Sequence, residues 1–399
     1  MSSDAAPAGG ASFLQLAGGL AARLRSLLAL PILLLIFSQL SPVYLSWTNL
    51  VTMTQHVSVT AVLATGMTFV ILTAGIDLSV GSVAALSGVF AGYLIDVGLK
   101  LGGATLFLPS PVVILIAILA GSLVGAVNGF VVTQIRIPAF IATLGMLYVA
   151  RGAALLISGG ASFIGLGGDP AHHNLGFDYV GQARWFHLPV QIYVMALVGL
   201  LGALVAGRTT FGRHVYAVGG NERAANSAGI RVVRVKIAVY AISGACAGVA
   251  GVLLASQLSA ADPTAATNYE LSAIAAVVLG GTSLFGGQGS VGGSIAGAFV
   301  IGFLNDGLVL ANVSEFWQMV ATGLVIVTAV GIDEFQRVGS DRLRSRRRLR
   351  VAQARGKGER PAPSRRRQNS VQREADGDQV WDDQPGEAIQ RRAHGRDTG

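Results

Sequence analysis

A stretch of 51 residues without a charged side chain, from Ser26 to Ile76, is the feature that most constrains this sequence. A helix needs only about 20 predominantly apolar residues to cross a bilayer, so this stretch can hold two crossings. Over the whole chain 52% of the residues are hydrophobic and 13% are charged, and 53 of the 399 are glycine. The sequence therefore predicts an all-α, polytopic membrane protein.

Apolar segments separated by Gly, Pro and charged residues predict about ten transmembrane helices. They cover residues 26–45, 50–73, 79–98, 111–134, 138–157, 189–207, 236–258, 271–284, 290–311 and 316–333. Ten crossings would place both termini on one side of the membrane. Most of the basic residues outside the segments fall on that same side, and the positive-inside rule assigns it to the cytoplasm.

The two ends of the chain are expected to lie outside the membrane. Residues 1–25 are predicted to be a cytoplasmic N-terminal segment, 26–335 the transmembrane domain and 336–399 a disordered basic tail. Up to Phe335 there are 12 basic and 12 acidic residues, so the formal charge of +8 comes from the tail. The tail has few aliphatic residues to offset chain entropy, and the neutral membrane domain gives no sign of a nucleic-acid partner.

Polar side chains in or beside the predicted helices would be costly against lipid, so they should face the interior of the helix bundle. The candidates for a translocation path are Asp77, Ser79, Asn128 and Asn305. Two interpretations of Asp77 are open. Gly75 could end one helix and Asp77 could cap the next, or Asp77 could face a polar pathway, as the broken helices of transporters do.

A second glycine-rich break, at 279–293, echoes the segment around Asp77, since both follow an apolar helix and lead into a helix of small residues. This similarity weakly indicates an internal repeat. The break also contains Gly287-x-Gly289-x-x-Gly292, the spacing of a dinucleotide-binding fingerprint. That interpretation fails because the fingerprint requires a strand, a turn and a helix of a soluble βαβ unit.

The segment 208–235 is the largest polar feature between the predicted helices, and it is rich in arginine. Asn221 can cap a short helix beginning at Glu222, and Gly229 can end it. A short helix of this kind suits the docking of a cytoplasmic partner. The alternative is an ordinary arginine-rich inner loop.

Several long motifs, in the same order, resemble the inner-membrane permeases of ribose-type ABC importers for simple sugars. The likeness covers roughly residues 50–333. Its motifs are Gly-Met-Thr at 66–68, Gly-Ile-Asp-Leu-Ser-Val-Gly-Ser at 75–82, Arg-Ile-Pro-Ala-Phe-Ile-Ala-Thr-Leu-Gly at 136–145, the segment 212–230 and Val-Val-Leu-Gly-Gly-Thr-Ser-Leu-Phe-Gly-Gly at 277–287.

The resemblance implies a permease of the bacterial inner membrane that forms a pathway for a ribose-like pentose or a hexose. Its implied partners are an ATP-binding cassette ATPase, an extracytoplasmic sugar-binding protein and a second permease copy in a homodimer or heterodimer. ABC importers carry a coupling helix with a Glu-Ala-Ala motif and a downstream glycine. The similar residues here, with Arg223 interrupting the motif, are Gly212, Arg213, Asn221, Glu222, Ala224, Ala225 and Gly229.

Other functional classes have less support. The chain has no Walker A pattern, so we expect ATP hydrolysis on a separate chain. No cluster of nucleophile, base or metal ligands predicts an enzyme, a metal site or a cofactor. The alternatives that stay open are a branched-chain amino-acid ABC permease and an ion-coupled secondary transporter built around Asp77. The second lacks a convincing set of paired carboxylates within the membrane.

Overall fold

The computed structural model describes residues 30–172, 174–314, 316–325, 327, 328 and 331. These residues are mainly helical, which confirms the all-α class. The predictions of a cytoplasmic segment at 1–25 and a disordered tail at 336–399 lie outside the described residues.

Thirteen α-helices form within the described part of the chain. They are α1 Leu30–Leu40, α2 Trp47–Leu72, α3 Val80–Asp96, α4 Ser110–Phe130, α5 Ala139–Ser158, α6 Tyr179–Gln182, α7 Val190–Arg208, α8 Thr210–Gly220, α9 Glu222–Ser227, α10 Val232–Leu258, α11 Tyr269–Leu279, α12 Val291–Leu310 and α13 Phe316–Val325. A π-helical turn at Val131–Ile135 extends α4, and a 3₁₀ turn lies at Pro170–His172.

Short strands between the helices form three antiparallel ribbons. Strand β1 (Leu99–Leu101) pairs with β2 (Ala104–Leu106), and β4 (Arg184–Trp185) pairs with β5 (Leu188–Pro189). The third ribbon joins distant parts of the chain, because β3 (Phe163–Ile164) pairs with β6 (Ala260–Ala261). These ribbons are too short to form a sheet layer, so helix packing alone builds the core.

Each of the ten predicted segments contains an apolar helix. Six helices of the described chain, α2, α4, α5, α7, α10 and α12, are long and apolar enough to cross a membrane. The other four, α1, α3, α11 and α13, are shorter, and the number of ten crossings stays a prediction. Helix α11 has 11 residues, which at about 1.5 Å per residue covers only about half of a bilayer core of about 30 Å.

Helix α2 lies at the centre of the bundle and is buried along most of its length. It packs against α7, α10, α11 and α12. A helix that is apolar on all sides is typical of such a position, because it has no face to turn toward a polar surface. The turn that follows its C-terminal end is also largely buried, whereas Trp47 at its N-terminal end is 66% exposed.

Helices α4 and α10 approach to backbone contact. A β-carbon at Gly121 of α4 would lie 3.1 Å from the Cα atom of Gly248, and one at Gly125 would overlap the carbonyl oxygen of Tyr240. Small residues allow this close approach, which lipid does not drive by a hydrophobic effect. The glycines of α4 and α10 at this contact therefore serve helix packing.

The segment 208–235 is more helical than its sequence predicts. The structure has the predicted short helix, α9, but it also forms α8 immediately before it, and α10 begins at Val232 rather than at 236. Helix α8 starts because the Thr209 side chain accepts a hydrogen bond from the backbone N–H of Gly212, at 3.1 Å. Gly212 is required there, since a β-carbon would overlap the Val205 and Ala206 carbonyl groups.

Candidate functional site

A buried group of polar side chains lies where the chain turns between α2 and α3. The Oδ1 atom of Asp77 accepts hydrogen bonds from the backbone N–H of Ser79 at 3.0 Å and from its hydroxyl at 2.6 Å. Oδ2 accepts a hydrogen bond from the hydroxyl of Ser243 in α10 at 3.0 Å. The Nδ2 group of Asn128 in α4 donates to the Ser79 oxygen at 2.9 Å. We call these four residues the Asp77 cluster.

The local turn around Asp77 differs from the predicted one. Helix α2 ends at Leu72, and the residue with left-handed backbone is Ala74, with φ of 57°, rather than Gly75. Gly75 is needed for a different reason, because a β-carbon there would lie 2.8 Å from the Tyr240 hydroxyl. Asp77 accepts the N–H two residues ahead, as aspartate does in turns, and it also joins α10.

Three of the four path candidates come together in this cluster, and the fourth lies elsewhere. Asn305 is on α12, and its Oδ1 atom accepts a hydrogen bond from the Thr322 hydroxyl at 3.1 Å. Ser243 belongs to the cluster but was not predicted. Its neighbour Gly244 packs against Gly121 of α4, so from the sequence a serine at this position looks like one more small packing residue.

A backbone joint connects α8, the end of α2 and the second glycine-rich break. The N–H of Gly287 donates to the carbonyl oxygen of Leu72 at 2.9 Å. Gly219 of α8 packs against the same two groups, since a β-carbon there would overlap the Leu72 oxygen and lie 2.6 Å from the Gly287 nitrogen. A β-carbon at Gly287 would in turn lie 2.9 Å from the Cα atom of Gly220. We call these four residues the glycine joint.

One side chain also ties α8 to the second break. The Tyr216 hydroxyl donates a hydrogen bond to the carbonyl oxygen of Gly289 at 2.9 Å. The break itself depends on glycine, because four of its residues have φ values from 72° to 145°: Gly281, Gly286, Gly287 and Gly289. Residues with a β-carbon adopt this region rarely. The break ends at Ser290, whose hydroxyl caps α12 by accepting from the N–H of Gly293 at 3.2 Å.

The predicted coupling residues lie on α8 and α9. Asn221 accepts the N–H of Ala224 at 3.0 Å, and Gly229, with φ of 84°, follows the end of α9, so the predicted cap and stop are confirmed. Glu222 forms an ion pair with Lys236 of α10 at 2.8 Å. Gly212 and Ala225 are buried, whereas Arg213, Glu222 and Ala224 are exposed. The coupling role of these residues stays a prediction.

The guanidinium group of Arg151, on α5, donates hydrogen bonds to the carbonyl oxygens of Pro263 and Ala265, at 2.6 and 2.9 Å. This contact ties α5 to the chain between β6 and α11.

Within the described residues, no group of three or more His, Cys, Asp or Glu residues is arranged to hold a metal ion.

Comparison with known proteins gives consistent matches. A family described as "Branched-chain amino acid transport system / permease component" matches residues 49–330. The chain is 42% identical to the ribose import permease protein of Haemophilus influenzae over 311 residues, which cover 78% of this chain and 93% of that relative. It is 41% identical to the ribose import permease protein of Bacillus subtilis over 316 residues, covering 79% and 94%.

A third relative, the D-allose transport system permease protein of Escherichia coli, is 38% identical over 307 residues. The match covers 76% of this chain and 89% of the relative. No solved structure matches the chain. The family match, over residues 49–330, includes both the Asp77 cluster and the glycine joint.

Proposed function

Since this chain belongs to the family of branched-chain amino acid transport system permease components, we propose that it is the membrane subunit of an ABC importer for a simple sugar. The family description also fits a permease for branched-chain amino acids, so the choice between a sugar and an amino acid rests on the relatives. Permeases named for ribose and D-allose match at 38–42% identity over about three quarters of the chain. That similarity favours a sugar of the pentose or hexose class.

Under the same proposal, the chain is a multi-pass protein of the bacterial inner membrane with both termini in the cytoplasm. We infer that α8 and α9 lie on the cytoplasmic side, where arginines are enriched between the spans. The implied partners are an ATP-binding cassette ATPase, an extracytoplasmic sugar-binding protein and a second permease copy. We assign the translocation path to the interior that holds the Asp77 cluster, and to Asn305 on α12.

The observation that carries the coupling role is the contact of α8 with the end of α2 and with the second break. Helix α9 exposes polar and charged side chains to a partner, while its buried Ala225 faces the protein. Helix α8 meets the end of α2 and the second break through the glycine joint. A force applied to α9 by an ATPase would therefore reach the interior through backbone contacts, which transmit displacement with little slack.

Co-purification tests the partner assignment. The tagged chain, expressed in its native host and gently extracted, should recover an ABC-type ATPase identified by mass spectrometry. Arg223→Glu reverses an exposed charge on α9 and should lose most of the ATPase. Arg184→Glu makes the same change at an exposed residue of β4 and should keep it. Equal recovery with both variants would remove α9 from the interface.

Transport itself is tested in vesicles that contain all the subunits. We expect sugar uptake to require ATP, the ATPase and the binding protein. Uptake that persists without the ATPase, and that an uncoupler abolishes at constant ATP, would instead identify a secondary transporter.

A further inference from the structure

The Asp77 carboxyl group is buried without a cationic partner among the described residues. Asp77 is 1% exposed, and none of the ion pairs found in the described residues includes it. Burying an unpaired charge is costly, and proteins normally neutralise it. The positive end of α3, which begins at Val80, offsets only part of the charge, since a helix terminus is equivalent to about half an elementary charge.

The hydrogen bonds to Asp77 favour its ionised form. Three donors converge on the two carboxylate oxygens: the N–H and hydroxyl of Ser79 and the hydroxyl of Ser243. A proton on the carboxyl group would compete with these donors for the same oxygen atoms. Neutralisation by a separate cation leaves all three bonds in place.

The fifth side-chain oxygen of the cluster, Oδ1 of Asn128, has no hydrogen-bond partner. The Nδ2 group of Asn128 donates to Ser79, but the Oδ1 atom of the same amide is buried and accepts no hydrogen bond. Asn128 is 1% exposed. Buried amide oxygens are nearly always paired, so this unpaired oxygen is a second observation, independent of Asp77, that points to a ligand in the cluster.

We propose that the Asp77 cluster binds one alkali metal cation. Its ligands are the Asp77 carboxylate, the Ser79 and Ser243 hydroxyl oxygens and the Oδ1 atom of Asn128. Hard cations prefer oxygen ligands of these kinds. A monovalent ion fits the charge, because a divalent ion beside a single carboxylate would leave a net positive charge buried. The site would fix α3, α4 and α10 to one another at the start of α3.

The test is thermal unfolding of the purified full-length chain in nanodiscs, titrated with NaCl or KCl. N-methylglucamine chloride keeps the ionic strength constant. We expect one alkali cation to raise the Tm in a saturable way, by about 4 °C once it stands at tenfold excess over its Kd. An equal Tm in sodium, potassium and N-methylglucamine would overturn the proposal. So would a Tm that rises on acidification but not with either alkali cation, because the carboxyl would then hold a proton.

Variants separate a cation ligand from a structural cap. Asp77→Asn should lose the alkali response and, without alkali cations, should unfold at or above the wild-type Tm, because it keeps the shape without the charge. A capping role alone would lower its Tm equally in every salt. Asp306→Asn, the same change at a half-buried residue of α12, should keep the response.

A ligand variant covers the case in which Asp77→Asn does not fold. Ser243→Ala keeps the carboxylate and removes one hydroxyl ligand, so it should raise the half-saturating alkali concentration about tenfold. An unchanged half-saturating concentration would remove Ser243 from the ligand set and count against the site. None of these measurements requires transport, so their outcome is independent of the sugar importer proposal.

Discussion

The two breaks in the helix bundle are held in different ways. The break at 73–79, between α2 and α3, is held by side chains, because Asp77 joins its own turn to Ser243 of α10. The break at 280–290, between α11 and α12, is held mainly by backbone. Its Gly287 bonds the carbonyl oxygen of Leu72, and its conformation requires left-handed glycines.

This difference separates two kinds of sensitivity. A side-chain network tolerates added volume poorly but can be tuned by changing single polar atoms. A backbone joint offers no side chain to tune, and a β-carbon added at Gly219 or Gly287, where main chains touch, forces them apart. The two breaks nevertheless touch, since a β-carbon at Gly286 would lie 2.9 Å from the Ala74 nitrogen. A disturbance of one break should therefore reach the other.

Gly219→Ala should have the largest effect, because its β-carbon would overlap the carbonyl oxygen of Leu72. Neither main chain can yield as a flexible side chain would, so we expect a loss of about 3 kcal/mol or more of stability. Thermal unfolding and vesicle uptake measure it. Gly220→Ala is the matched control, because a β-carbon at that position meets nothing within 4 Å. Equal losses in the two variants would mean that the glycine joint is not a tight contact.

Asp77→Ala should have the next largest effect. It leaves the hydroxyls of Ser79 and Ser243 without their acceptor, and each buried donor that loses a partner costs about 1–3 kcal/mol. We expect a net loss of about 2.5 kcal/mol, since removal of the buried charge returns part of that cost. Chemical denaturation measures the loss. The double variant Asp77→Ala/Ser243→Ala should recover part of it, and strictly additive losses would contradict the direct coupling of the pair.

Tyr216→Phe should cost about 1.5 kcal/mol, because the carbonyl oxygen of Gly289 loses its donor in a partly buried place. If α8 transmits movement to the second break, uptake should fall more than ATP hydrolysis does. Tyr193→Phe removes the same kind of bond, from a tyrosine hydroxyl to the Trp185 carbonyl, at an exposed site. That control should leave the ratio of uptake to hydrolysis unchanged. If uptake and ATP hydrolysis fell equally in Tyr216→Phe, Tyr216 would have only a structural role.

Local chemistry explains what could be predicted from the sequence. The apolar segments mark the helices, and Asn221 and Gly229 mark the bounds of α9, because caps and stops act within a few residues. The broken segment at 280–290 was visible from its glycines alone. Asp77, Ser79 and Asn128 stood out as polar residues in apolar surroundings, and they do lie together.

Contacts between distant segments could not be predicted in the same way. Ser243 lies 166 positions from Asp77, and nothing in its neighbourhood distinguishes it from a packing residue. The joint between Gly219 and Leu72 likewise depends on how α8 folds back against α2. Asn305 was grouped with Asp77 because it is polar within an apolar segment. Polarity alone does not say which polar side chain a residue contacts, and Asn305 bonds Thr322 instead.

Ser290→Ala should have the smallest effect and tests how independent the second break is of side chains. The Ser290 hydroxyl caps α12 by accepting the N–H of Gly293, and loss of such a cap typically costs about 1 kcal/mol. Thermal unfolding measures the loss, and Ser290→Asp should restore stability because aspartate is an equally good cap. If Ser290→Ala instead destabilised the protein as much as Asp77→Ala, side chains would hold both breaks, and the contrast between them would be wrong.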